Sequence, residues 1–267
     1  MNKPRSSEYS AQCEEQTNPE TAIEVECEDC GLDPVCQALD YAEESSGVPD
    51  GVLLRRRPLE RGEILFSQED AFGSIFAVKS GSFKTFVDYT GQSKQVIGFQ
   101  FPGELIGVEA MSQKTYPCTA RALEKSSVCE LRIARLPESG RPIEALQASI
   151  IELLGQEVAF NHQIVSALVH QSAEQRISGF LLSLSSRLAR RGLPSLEFTL
   201  TMSRTDIGNY LGLAGETVSR VLTRMDRAGA IRLQRKRIFI HDRIALQQLT
   251  AGSAQIRITQ NKSISFF

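Results

Sequence analysis

The sequence predicts an α+β chain in three parts: an N-terminal antiparallel β-roll, a long helix, and a C-terminal winged helix-turn-helix. Three observations carry this. Short apolar runs punctuated by glycine fill about Val52–Leu136, strand signals vanish between Pro142 and Gln171, and a paired-helix pattern around a glycine turn spans Ser203–Leu222. A length of 267 residues, 41% of them hydrophobic, suffices for two ordinary domains with buried cores.

Residues 1–24 are polar and acidic without hydrophobic period, so a disordered tail is expected there. A cysteine-bearing segment and the roll follow over 25–141. Their strand candidates include Ile64-Leu65-Phe66, Ile75-Phe76-Ala77-Val78 and Val96-Ile97-Gly98-Phe99, with Gly62, Gly73, Gly81, Gly91 and Gly103 as turns. Pro142 suits the first turn of a helix, where the N–H it lacks would go unpaired, and that helix is expected over 142–171. It carries two apolar stripes. Ile143, Leu146, Ile150 and Leu153 form one; Leu154, Val158, Asn161, Val165 and Leu168 alternate steps of four and three along the other, the spacing of a coiled-coil seam. The second stripe is the expected homodimer interface, although burial within one chain fits the pattern nearly as well. Asn161 in the seam would lower dimer stability while fixing register.

A further helix is expected from about Ser172 to Arg191, stopped by Gly192 and Pro194. It opens a winged domain over 172–250 and leaves 251–267 as a C-terminal tail. Ser203 and Asp206 are spaced as a capping box. Gly208 falls where a side chain would collide with the second helix, and Gly212 supplies the turn. Ile207, Leu211, Val218 and Leu222 provide the contacts between the helices. Glu216, Ser219 and Arg220 then share one face near the start of the second helix. Arg can donate twice to guanine, Glu can accept from cytosine and Ser is adaptable, which is what reading a major groove requires. The alternatives are a helix-start carboxylate for Glu216, and a phosphate contact or salt bridge for Arg220. Ala230–Ile240 reads as two strands joined by a basic turn. Arg232, Arg235, Lys236 and Arg237 on this wing, with Thr201 and Arg204 from the first helix, are the candidate phosphate contacts.

Charge is distributed accordingly. The formal net charge of −2 conceals a net −11 over residues 1–50 and +5 over residues 201–243. One end repels phosphate and the other attracts it, making a double-stranded DNA operator the expected partner. The sequence has neither the apolar run of a spanning helix nor a signal-peptide pattern, so a cytoplasmic protein without membrane contact is expected. It also lacks a nucleophile–base–orienter set, a phosphate-cradling glycine loop and H-E-x-x-H, which argues against an enzyme.

Six cysteines in a reducing compartment read as thiols or metal ligands. Cys27, Cys30 and Cys36 form a C-x2-C-x5-C run, and Cys13, Cys118 and Cys129 are candidates for a fourth ligand. Cys129 lies in the strand-like run Ser126–Ile133. Ligation by cysteine alone suits an iron–sulfur cluster or zinc. A thiol/disulfide switch is a further reading, and a lone buried Cys129 would serve as a small core residue.

With these parts in place, about residues 25–250 resemble the CRP/FNR superfamily of bacterial transcription regulators, and its FNR-type branch in particular. The resemblance rests on Cys27-Glu-Asp-Cys30, Gly98-Phe-Gln-Phe-Pro-Gly-Glu-Leu-Ile-Gly107, Val128-Cys-Glu130, Leu200–Leu213 and Glu216-Thr-Val-Ser-Arg220. It implies a roll like that of cyclic-nucleotide-binding domains, and an oxygen-labile [4Fe–4S] cluster on Cys27, Cys30, Cys36 and Cys129 that favours the dimer. It further implies reading of TTGAT-type half-sites, control of anaerobic-metabolism genes, and an RNA polymerase contact at the loop Asp88–Lys94. The cyclic-AMP-binding branch has an Arg-Ser pair where Pro117-Cys118 stands here, and only Glu104 of that pocket's signature remains, which argues against cyclic AMP as ligand. Cys13 and Cys118 exceed the family pattern. The alternative is a small-molecule-responsive CRP-like regulator with structural zinc or no metal.

Overall fold

Eight short strands build two four-stranded antiparallel sheets. They are β1 (Leu53–Leu59), β2 (Ile64–Phe66), β3 (Ser74–Ser80), β4 (Phe83–Val87), β5 (Gln95–Gln100), β6 (Leu105–Ile106), β7 (Thr119–Ala122) and β8 (Ser126–Arg132). One sheet has the order β1-β8-β3-β6 and the other β2-β7-β4-β5. The chain is seen in a computed structural model that describes residues 24–33, 36, 52–89, 94–133, 135, 151, 155, 158 and 171–252.

The first six residues of β3 are all buried, because both faces of that strand are covered. Phe76 and Val78 point into the roll with Leu59, Phe66, Phe83, Ile106, Tyr116 and Val128. Ile75 and Ala77 point the other way, into a smaller cluster with Leu32, Val52, Leu53, Val108 and Leu131. The cysteine-bearing segment is thereby docked on the outer face of the roll. A one-residue slip of β3 would exchange the two sets, so the alternation specifies the register with β8, in which Ala77 lies opposite Cys129.

Of the expected long helix, Ile151, Gly155 and Val158 are described and are helical. Ile151 and Val158 are 68% and 53% exposed. Leu154, Asn161, Val165 and Leu168 lie outside the described residues, as does most of each expected tail.

The C-terminal part begins with α1 (Ala173–Ala189), capped by Ser172, whose side chain and that of Gln175 each bond the other's backbone N–H. It continues through β9 (Glu197–Thr199), α2 (Arg204–Leu211), α3 (Gly215–Arg227), β10 (Ile231–Gln234), β11 (Arg237–Ile240) and α4 (Arg243–Thr250). The wing has the strand order β10-β11-β9. Strand β9 and helix α4 go beyond the sequence expectation: β9 completes the wing, and α4 lays Leu246 and Leu249 into the core behind an Asp242 cap.

Packing joins the two domains. The core of the winged domain is continuous with Phe86, Val96, Phe99 and Phe101 of the roll. Phe99, Phe180 of α1 and Tyr210 of α2 meet edge to face, with centroids 5.2 to 6.1 Å apart. Around them, Lys84 pairs with Asp206 at 2.6 Å, and the Asn209 side chain accepts from Val96 N at 2.6 Å and donates to the Lys94 carbonyl at 2.9 Å.

Candidate DNA-reading face and cysteine site

The reader is built from local signals. Ser203 and Asp206 form the capping box of α2, and Gly212 ends that helix at φ 64°, a left-handed conformation that glycine adopts without strain. At Gly208 a Cβ would lie 2.5 Å from the Leu213 carbonyl oxygen, so the turn between the helices closes only over a hydrogen. Gly215, which sequence reading does not single out, is also close-packed though less severely, since a Cβ there would stand 3.2 Å from backbone atoms of Thr205. Its position at the start of α3 is the only sequence signal.

Helix α3 buries Val218, Val221, Leu222 and Met225 and leaves Glu216, Ser219, Arg220, Thr223 and Arg227 exposed. Among the described residues no ion pair joins Glu216 to Arg220. Both keep their full hydrogen-bonding capacity toward an outside partner, while Ser219 donates to the Gly215 carbonyl at 3.1 Å and retains its lone pairs. The helix N-terminus lies beside this face and favours negative charge.

The candidate phosphate contacts divide in two. Arg232, Arg235, Lys236 and Arg237 are exposed on the wing, with Arg235 in the turn at φ 56° and Arg237 paired to Glu197. Thr201 and Arg204 are half-buried. Thr201 Oγ1 is 2.7 Å from Ser82 Oγ of the roll, and one buried Arg204 amine nitrogen has no partner among the described residues. On the neighbouring roll, burial raises the Glu124 pKa, and Ser82, Lys236 and Arg61 oppose that shift.

None of the four predicted ligands Cys27, Cys30, Cys36 and Cys129 is in a disulfide among the described residues. Cys30, Cys36 and Cys129 pack against the cluster containing Leu32 and Leu131. Burial pushes the Cys30 thiol up to about 11, with the neighbouring Cys129 and Cys27 adding to the shift. Cys27 lies 3.9 Å from the ammonium of Lys79, a buried lysine that also bonds the Val25 carbonyl and pairs with Glu24. Among the described residues no three His, Cys, Asp or Glu side chains converge on a point that a metal ion could occupy. Neighbouring free thiols without nitrogen or oxygen donors nonetheless have the chemistry of an iron–sulfur ligand set.

Glu104, the residue shared with the nucleotide-pocket signature, is bound by the chain itself. Both carboxylate oxygens of Glu104 bind Arg187, and one also accepts from Phe101 N at 3.0 Å. Cys118 is buried and donates to Glu109 at 3.2 Å, and burial followed by that carboxylate raises its pKa. A carboxylate thus sits beside Cys118, where binding a phosphate would call for a cation. At the loop with the expected polymerase contact, Asp88 and Lys94 pair at 3.3 Å and Tyr89 is 53% exposed.

A double-sheet roll carrying a winged helix-turn-helix with an unobstructed polar recognition face is the architecture of a DNA-binding transcription regulator. Residues 175–249 match the Crp-like helix-turn-helix domain and residues 56–138 the cyclic nucleotide-binding domain. The chain is 42% identical to the transcriptional activator protein Anr of Pseudomonas aeruginosa, over 87% of this chain and 95% of that protein. It is 33% identical to the fumarate and nitrate reduction regulatory protein of Escherichia coli K12, over 87% of this chain and 93% of the relative. In fold it is similar to FixK2 of Bradyrhizobium japonicum, with a TM-score of 0.66 at 24% identity, covering 75% of this chain and all of that one. The chain belongs to the CRP/FNR family, and it is a regulator of transcription rather than an enzyme. Among the described residues no helix is long and apolar enough to cross a membrane.

Proposed function

We propose that the chain is an oxygen-responsive regulator in which Cys27, Cys30, Cys36 and Cys129 hold a [4Fe–4S] cluster, and in which a homodimer binds palindromic TTGAT-type half-sites in the cytoplasm. The observation that carries this is the packing of Cys30 and Cys36, from the C-x2-C-x5-C segment, and of Cys129, from β8, against one apolar cluster on the outer face of a roll already docked to the reader. When bound, the cluster supplies an oxygen-labile tie between those segments. The residues do the rest. Cys129 is fixed by β8 pairing, Cys27 to Cys36 lie on a short turn-rich segment, and Leu32 anchors that segment in the outer cluster of the roll. Glu216, Ser219 and Arg220 read bases, while Arg232, Arg235, Lys236 and Arg237 meet phosphates, joined by Thr201 and Arg204 at the edge of the roll. The loop Asp88–Lys94 contacts RNA polymerase, placing the protein in control of anaerobic-metabolism genes. Cyclic AMP is not the signal in this reading, because Arg187 occupies Glu104 and the place of the phosphate-binding pair holds Pro117 and a buried thiol.

The test is anaerobic purification with iron, acid-labile sulfide and zinc measured per chain, followed by visible spectra as air is admitted. Iron and sulfide near four per chain, with colour that bleaches in air and operator affinity that falls with it, is the expected result. Colourless protein with zinc or no metal after anaerobic reconstitution overturns the oxygen-sensing part and favours a small-molecule-responsive regulator. Replacing Cys129 with Ala is expected to lower anaerobic operator affinity while the winged domain stays folded, and unchanged affinity would sink the coupling.

A further inference from the structure

Arg191, just past the end of α1, sits where three segments meet. Its Nη1 donates to the Asp29 carbonyl, between Cys27 and Cys30, at 3.0 Å. Its stem crosses Gly103 in the roll, where a Cβ would come within 2.8 Å of Arg191 Cδ and 2.9 Å of the Asp29 carbonyl oxygen. Gly31 closes the other side by donating to the Gly103 carbonyl at 2.7 Å, and Gly192 lies against the Asp29 carboxylate. About one turn before Arg191, Arg187 grips Glu104 and the Phe99 carbonyl. The cysteine loop, the turn Phe101–Glu104 and the end of α1 are therefore packed as one unit.

Helix α1 is also joined to both reader helices. Phe180 meets Tyr210 of α2 edge to face, and Glu174 pairs with Arg224 of α3 at 2.8 Å. A helix of this length moves as a rigid rod, so a displacement at its C-terminal end is felt by the recognition helix.

We propose that Arg191 is a positioning residue that links the cysteine loop to the DNA reader within a single chain, separately from any route through the dimer helix. This rests on reading Cys27, Cys30, Cys36 and Cys129 as the sensor. Loosening of the loop removes the carbonyl that holds Arg191 and releases the end of α1. The recognition face is exposed in the arrangement in which the contact is made.

The experiment uses the full chain, purified anaerobically with iron content determined, as wild type, Arg191→Ala and Arg191→Lys. Operator affinity is measured before and after air at matched dimer content, and amide exchange is followed in the metal-free chains. The expected result is that the response of affinity to air shrinks by about fivefold or more in Arg191→Ala. Arg191→Lys, which still donates to the Asp29 carbonyl, should retain most of the response. Exchange at 27–33 and at 187–193 should rise together in the Ala variant. An air response in Arg191→Ala equal to that of wild type overturns the link and leaves the sensor reading standing. If wild type itself ignores air, the sensor reading falls, and exchange alone decides: unchanged protection at 27–33 in Arg191→Ala overturns the contact, and a joint rise upholds it.

Discussion

Arg220 stands on the exposed face of α3 with no ion pair among the described residues, so its forked guanidinium is available to a guanine edge. Its replacement by Ala should relax preference at one base pair and cost about 1–3 kcal/mol on the operator, with little loss on random DNA. Arg235→Ala, in the wing turn, should weaken both alike. Competition binding on the two DNAs checks this, and equal losses for Arg220→Ala would remove its base-reading role. Asp206 shows a different kind of residue effect. Burial raises its pKa, but the Lys84 ammonium and the Ser203 hydrogen bonds outweigh that and hold the carboxyl below its usual range. A depressed folded pKa means that the carboxylate stabilises the fold fully above the unfolded value of about 3.9 and loses this contribution as pH falls through the lower folded value. Denaturant midpoints of wild type and Asp206→Asn should therefore draw together as pH falls from about 5 through the depressed folded value; a gap that stays constant would show that the charge is not what matters.

At the scale of elements, the decisive feature is the docking of α1 and α2 on β5. Phe99 is 2% exposed and shares its ring contacts with Phe180 and Tyr210. Truncation to Ala should cost about 3–5 kcal/mol and uncouple the domains, so that calorimetry shows two unfolding transitions where wild type shows one. A single, merely shifted transition would mean that the polar contacts of Lys84 and Asn209 suffice. Sequence patterns reveal the reader helices because the first signals its own ends through the Ser203–Asp206 box and the Gly212 stop, and the second follows from the apolar spacing of Val218 and Leu222. They do not reveal β9, where only Phe198 is buried, or α4, whose two buried leucines are too few to establish a period. The docking is likewise invisible. Phe99, Phe180 and Tyr210 each satisfy the pattern of their own element, and only the folded chain shows that the three are neighbours. Arg187 and Arg191 look like a solvated helix end for the same reason, because their partners Glu104 and Asp29 lie far away in sequence.

For the molecule as a whole, a reader with the three proposed base-reading side chains would cover only half of the proposed palindrome, and high operator affinity would depend on two copies engaging successive major grooves. The seam proposed for that pairing includes Val158, helical and 53% exposed in the single chain. A solvent-facing valine contributes little to the fold of one chain, whereas in a seam it would be covered by its partner. Val158→Glu places two like charges across that seam, which should shift the protein toward monomer in sedimentation while leaving its thermal transition close to that of wild type. Because the second half-site is bound at the high effective concentration of a tethered domain, affinity for the full palindrome should drop by about a hundredfold or more. Affinity for an isolated half-site should not change, since α3 and the wing are untouched. If Val158→Glu remains dimeric and binds the palindrome normally, the pairing surface lies elsewhere than this stripe.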